Sequence, residues 1–243
     1  MRCHKFIQIF FFIILISPSL IGQTSIGING GLNWTALLHN NNENSDYVDN
    51  HFSYPSYSFQ LEIKGRRPKP FHLGASLMYY QSSFKWHEEV NGHFPYGQDV
   101  HYNADYLRIS VFPEFSFGKR VQFFCNISPY LNIRVQSSKN GTSWSYQYVK
   151  YYELLYKSET GSGNDDLHQL DFGIQESIGV SYLIRPWFGL TLEENASVGF
   201  LAINKTYLDG EFRNANICFR FGVSFIIPGN NPKKEKAVNE PKK

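Results

Sequence analysis

The chain has 243 residues, 18% of them charged and 17% aromatic, with a formal net charge of +2. That length fits one domain, and the scarcity of charge is unlike a typical water-soluble domain. Near-neutrality excludes the basic face that nucleic acid requires.

The first residues are basic (Arg2, Lys5), and Phe6 to Ile16 is apolar except for Gln8, ahead of Ser17, Pro18 and Gly22. This is the pattern of a secretory leader cut after Gly22, and the run is too short for a helical span of about 20 residues. Loss of Arg2 and Lys5 brings the basic residues level with the 21 acidic ones. No later segment is apolar enough to be a transmembrane helix, so any crossing has to be made by strands.

Strands are what the periodicity predicts. In Ser25 to Trp34, Ile26, Ile28, Leu32 and Trp34 alternate with Ser25, Gly27, Asn29, Gly31 and Asn33. Residues 35–56 read as a polar loop. Tyr57, Phe59, Leu61 and Ile63 then alternate with Ser58, Gln60, Glu62 and Lys64, and the proline-bearing stretch 65–70 is a short turn. A third strand follows from Phe71 to Tyr79. Asn91-Gly92 is a hairpin signal, so the third and fourth strands are expected to continue past the membrane as one ribbon.

The longest alternation runs from Tyr106 to Val135, broken only at Gly118-Lys119-Arg120. It predicts a hairpin whose strands match the roughly 9–11 residues of a tilted transmembrane strand. Residues 136–166 are placed outside the membrane, with 142–156 readable as a strand or a short helix. A sixth strand spans about Leu170 to Ile184, and the chain turns at Arg185-Pro186. A seventh strand runs from Phe188 to Phe200. Asp209-Gly210 marks a further turn, and the last strand covers Asn214 to Phe225.

The fold class is therefore all-β: an eight-stranded antiparallel up-and-down transmembrane β-barrel with short periplasmic turns and long extracellular loops. Residues 1–22 are the leader, 23–227 the barrel, and 228–243 a disordered lysine-rich periplasmic tail. Both termini are periplasmic, and the chain is expected to be a monomer.

Facing follows from composition. A soluble ligand-binding barrel would carry Lys and Glu on its polar face; here those positions are mostly Gly, Ser, Asn and Gln. Balanced charges accompany them: Glu62, Glu114, Asp171 and Glu193 against Lys64, Arg108, Arg134 and Arg220. These eight are assigned to an interior polar network, with an ion pair expected between Arg134 and Asp171. The apolar face looks to lipid, with Trp34, Tyr57, Tyr79 and Phe188 as an aromatic girdle. Glu176 and Glu194 break the pattern by falling on the lipid face. A five-residue connection over 183–187 would set them opposite one another; a β-bulge in each strand is the favoured way to turn them inward, the alternatives being a protein partner that covers this wall with basic residues or a protonated pair that shares hydrogen bonds. Cys125 and Cys218 have opposite facing, so no disulfide is expected between them.

The opening Ser25-Ile26-Gly27-Ile28-Asn29-Gly30-Gly31-Leu32-Asn33, the 106–135 hairpin, Asp171-Phe172-Gly173-Ile174 and Gly179-Val180-Ser181-Tyr182 together resemble the PorT-like small outer-membrane β-barrel proteins of Gram-negative bacteria. The resemblance covers about Gln23 to Ile227. It implies an eight-stranded outer-membrane barrel, and one branch of that family takes part in protein secretion.

Chemistry is sparsely marked. His87-Glu88-Glu89 and His93 lack metalloprotease spacing, and neither a metal nor another cofactor is expected. His168 and Asp171 near the external rim suggest a lipid hydrolase, but spacing marks no nucleophile. The aromatic segment 144–156 reads first as a cluster packing on the barrel rim and second as a surface for a partner or glycan. The favoured reading is a non-enzymatic barrel that contacts lipid and an envelope or secretion protein. Its alternatives are a narrow porin, a rim-sited hydrolase and a soluble lipocalin-like barrel.

Overall fold

The computed structural model describes residues 23–40, 47–66, 70–90, 96–147, 150–160, 167–202 and 211–228. The expected leader, the Asn91-Gly92 and Asp209-Gly210 turns, His93 and the lysine-rich tail beyond Pro228 lie outside them. The described strands are β1 (Gln23–Asn40), β2 (Tyr47–Ser53), β3 (Pro55–Arg66), β4 (Phe71–Val90), β5 (Tyr96–Gly118), β6 (Val121–Gln147), β7 (Lys150–Thr160), β8 (Leu170–Arg185), β9 (Phe188–Ala202) and β10 (Glu211–Ile227).

Eight of these close a ring in the order β1, β3, β4, β5, β6, β8, β9, β10. Every pair is antiparallel, and β1 seals against β10 without a break in register from Thr24↔Ile227 to Asn40↔Glu211. Side chains alternate around the ring as the sequence directs. Ile28, Leu32, Phe59, Leu73, Ile127, Phe172 and Phe221 face outward, while Asn29, Gln60, Ser76, Ser128, Gln175 and Ser224 are buried inside.

One end of the ring carries tight connections. Gly118 turns into Lys119-Arg120, and Pro186-Trp187 join β8 to β9. At the other end the strands outrun the ring. β4 and β5 stay paired as far as Val90↔Tyr96, so the expected ribbon is present. The stretch expected as a polar loop over 35–56 is largely strand, because β1 continues to Asn40 along β10 and β2 pairs with the upper part of β4. The described part of 142–156 is strand, not helix: β6 runs on to Gln147 and β7 pairs back along it from Lys150. Polar residues alternating with Trp144, Tyr146 and Tyr148 already suited an extended ladder.

β2, β4, β5, β6 and β7 therefore make a five-stranded sheet standing on one side of the barrel mouth. Its polarity is inverted relative to the barrel. Along β4 the outward residues change from Leu73, Leu77 and Tyr79 to Gln81, Ser83, Lys85 and His87. Inward, Ser76 gives way to Met78, Tyr80 and Phe84, which pack with Val100, Tyr102, Ala104, Tyr106 and Leu167. Tyr80 stacks on Tyr106 and Phe84 on Tyr102, each across a paired position. The inversion coincides with a register shift at Asp105/Tyr106, where consecutive Val135 and Gln136 both face out.

The β8–β9 hairpin corrects one expectation. The connection is Pro186-Trp187 with an irregularity at Leu183/Arg185, not a five-residue loop. The tighter turn moves the register by two, so Glu176 pairs with Ala196, and Glu194 with Ile178. No shift occurs at either glutamate, the favoured bulges do not form, and both side chains face outward.

Gly118 has φ +110, and a Cβ there would meet the Val121 carbonyl. Gly65, by contrast, has only the Leu73 carbonyl at 3.8 Å. Gly118→Ala should lower folding stability by about 1–3 kcal/mol, and Gly65→Ala should leave it nearly unchanged. Urea titration of the heat-modifiable band on gels compares the two; equal midpoints would contradict the assignment.

Candidate functional site

All eight interior charges expected from sequence are buried: Glu62, Lys64, Arg108, Glu114, Arg134, Asp171, Glu193 and Arg220. The ring divides them into tiers. Nearer the short turns, Lys64 Nζ lies 2.7 Å from Glu114 and 3.1 Å from Glu62. Its ammonium also sits 4.7 Å from the centre of the Phe124 ring. Arg220 joins Glu193 at 2.9 Å and reaches Met78 Sδ across the lumen.

The upper tier is built on Arg108, which is 1% exposed. Its guanidinium lies 4.0 Å from the Tyr130 ring centre and 4.8 Å from that of Tyr80. It donates to Asn132 (2.9 Å), Ser197 (2.9 Å), Gln175 (3.2 Å) and the Tyr80 hydroxyl (3.3 Å). Those partners come from β4, β6, β8 and β9, so one side chain on β5 ties together most of the ring. Above it, the cluster from Met78 to Tyr106 lines the inner face of β4 and β5.

The expected Arg134–Asp171 pairing is replaced. Register sets Asn132 opposite Asp171, and Asn132 Nδ2 donates to Asp171 Oδ2 at 3.2 Å. Arg134 donates to Ser137 instead. The sequence places both charges on the inner face but carries no signal for a two-residue offset. His168 is exposed whereas Asp171 is buried and held by Asn132, so the two do not present a hydrolytic pair at the rim.

On the standing sheet the outer face carries a polar cluster that the alternation Ser83, Lys85, His87 already encoded. Lys85 Nζ is 2.9 Å from Asp99, with His87 Nδ1 at 3.8 Å. Ser83 bonds His101 (3.0 Å) and Asn103 (2.8 Å), and Tyr54 meets His101 edge-on. Burial and the nearby Lys85 hold His101 below the usual imidazole range.

Two outcomes follow. Lys64→Met strands buried carboxylates and should cost about 3–5 kcal/mol, whereas Lys119→Met at the exposed turn should cost under about 0.5 kcal/mol; equal losses in urea titration would contradict the interior pairing. Because the folded His101 binds its proton more weakly than the unfolded one, the stability it contributes is present above about pH 6.5 and is lost as pH falls through its lowered value. Amide protection in β5 residues 96–103, taken relative to the base-catalysed intrinsic exchange rate at each pH, should fall on acidification and lose that dependence in His101→Gln; an unchanged profile would exclude His101 as its source.

Among solved structures, Neisserial surface protein A aligns at 11% identity over 84% of this chain and 99% of its own, with a TM-score of 0.44. Ail of Yersinia pestis aligns at 11% over 85% and 100%, TM-score 0.43. The N-terminal barrel domain of Pseudomonas aeruginosa OprF aligns at 10% over 85% and 98%, TM-score 0.39. Likeness at that level carries no inference about role. No curated protein matches the chain. The family model described as outer membrane protein beta-barrel domain matches residues 19–200. With its closed ring, apolar outer wall and charged interior, the chain belongs to the outer-membrane β-barrel family and is an integral outer-membrane protein.

Proposed function

We propose that this barrel is a sealed, non-enzymatic anchor whose standing sheet binds a protein partner outside the cell. The carrying observation is the polarity inversion at Tyr79/Gln81 and Leu107/Asp105. A sheet that is polar outside and aromatic inside is built for water, and five strands hold it more rigidly than loops would. Among the described residues β2 pairs only with β4 and β7 only with β6. β2 runs beside β1 on its other side, whereas β7 offers, among the described residues, an open edge to which an extended segment of a partner can add a strand. The lumen supports anchoring over transport. Arg108 and its partners cross it, and an eight-stranded ring leaves an interior that side chains fill.

In this reading the short turns and both termini are periplasmic and the sheet is extracellular. An epitope inserted between Gln147 and Lys150 should bind antibody on intact cells, and one at Lys119 only after permeabilisation; the reverse would overturn the orientation. In planar bilayers the purified protein should give no conductance steps, and resolved steps would restore the channel reading. Removing residues 150–160 should keep the heat-modifiable barrel while abolishing recovery of a protein that co-purifies with the full chain. Undiminished recovery would remove β7 from the interface.

A further inference from the structure

The outer wall carries a feature that neither anchoring nor the standing sheet uses. Glu176 and Glu194 point outward from β8 and β9 within an otherwise apolar band. Outward neighbours of Glu176 are Phe172 and Ile174 on one side and Ile178 and Val180 on the other. Glu194 lies between Leu190 and Leu192 below and Ala196 and Val198 above. Offset by two positions on paired strands, the carboxylates are diagonal neighbours, about 7–8 Å apart between backbones. Neither has an ion-pair partner among the described residues. Two adjacent carboxylates facing hydrocarbon are costly both to desolvate and to hold together.

Beside them the wall is hollowed. A groove of about 520 Å³ follows one row of paired residues, lined by Glu176 next to Ala196 and by Ile127, Ile217 and Trp34, with Glu194 just outside the lining, one diagonal step from Glu176. Ala36 and Ala215, directly paired, keep its upper side shallow. The wall here is thus small and concave where its neighbours Phe172, Phe200, Phe219 and Phe221 are large.

We propose that this groove is an intramembrane docking site for a polypeptide segment of another protein that carries a Lys or Arg side chain at mid-membrane depth. Charge complementarity selects that occupant. A second copy of this chain would bring no cation to that depth, because its described outward-facing basic residues lie at or near strand ends (Lys119, Arg120, Arg185 and Arg213) or on the standing sheet (Lys85). Lipid amines sit at the interface, about 15 Å from the middle of the hydrocarbon. A basic side chain on a membrane-embedded segment reaches both carboxylates, and small residues on the barrel wall let its backbone approach closely. The proposal does not depend on the standing sheet.

Photo-crosslinking in the native outer membrane tests it, with p-benzoylphenylalanine at position 198 in the groove or at position 111 on β5. Position 198 should yield a discrete adduct with a second polypeptide whose crosslinked peptide holds a Lys or Arg within an apolar stretch. Position 111 should not. The double variant E176Q/E194Q should lower the adduct by about tenfold, the scale of one charge-assisted hydrogen bond. Heat-modifiable migration confirms assembly; if the double variant fails to assemble, E176Q and E194Q singly should each reduce the adduct. Lipid adducts alone, a dimer of this chain, a crosslinked peptide without a basic residue, or an adduct indifferent to the glutamines would each overturn the proposal.

Discussion

The structure depends on one constraint: backbone N–H and C=O groups facing hydrocarbon have no water to fall back on, so the sheet must close. The β1–β10 seam meets it. Seventeen successive pairings without a shift leave no open edge within the band. Alternation then follows from closure, since each strand has one face on lipid and one on the lumen. Above the band the constraint lifts, and the chain behaves differently. There, among the described residues, β7 ends in an open edge, and the apolar side chains of β4 and β5 turn inward.

Closure also creates the interior problem. Eight strands enclose a space that must be filled from a sequence whose apolar residues face outward. Small polar residues and balanced charges fill it. Buried ion pairs add little net stability, but breaking one is expensive. The tiers around Lys64, Arg108 and Arg220 therefore act more as specificity devices, fixing which strands face one another across the lumen. Arg108 illustrates this: its four hydrogen-bond acceptors lie on four strands, and the rings of Tyr80 and Tyr130 lie within 4.8 Å of its guanidinium.

Much of this was legible in the sequence because a period of two repeats the same instruction at every position. Strand number, facing of the eight charges and the tight turns follow from alternation and from Gly, Pro and basic turn residues. Register is less legible, since shifting a strand by two preserves every facing. That is why Asn132, not Arg134, meets Asp171, and why Glu176 and Glu194 are diagonal and not opposed. The standing sheet was under-read for another reason. Reading apolar as outward holds only within lipid, and Ser83, Lys85 and His87 against Tyr80 and Phe84 continue the alternation with its sign reversed. A reversal of sign mid-strand is itself the signal for where the membrane ends. The groove left no signature, because Ala36, Ala196 and Ala215 are brought together only by pairing.

That reversal is the central claim, and labelling down the outward face of β4 tests it most directly. In a variant without Cys125 and Cys218, single cysteines at 73, 75, 77, 79, 81, 83, 85 and 87 are exposed to a lipid-phase and a water-soluble maleimide in native membranes. The account predicts lipid-phase labelling alone through position 77, a change near 79–81, and aqueous labelling alone from 83 onward. Aqueous labelling along the whole strand, or lipid-phase labelling continuing to 87, would contradict it.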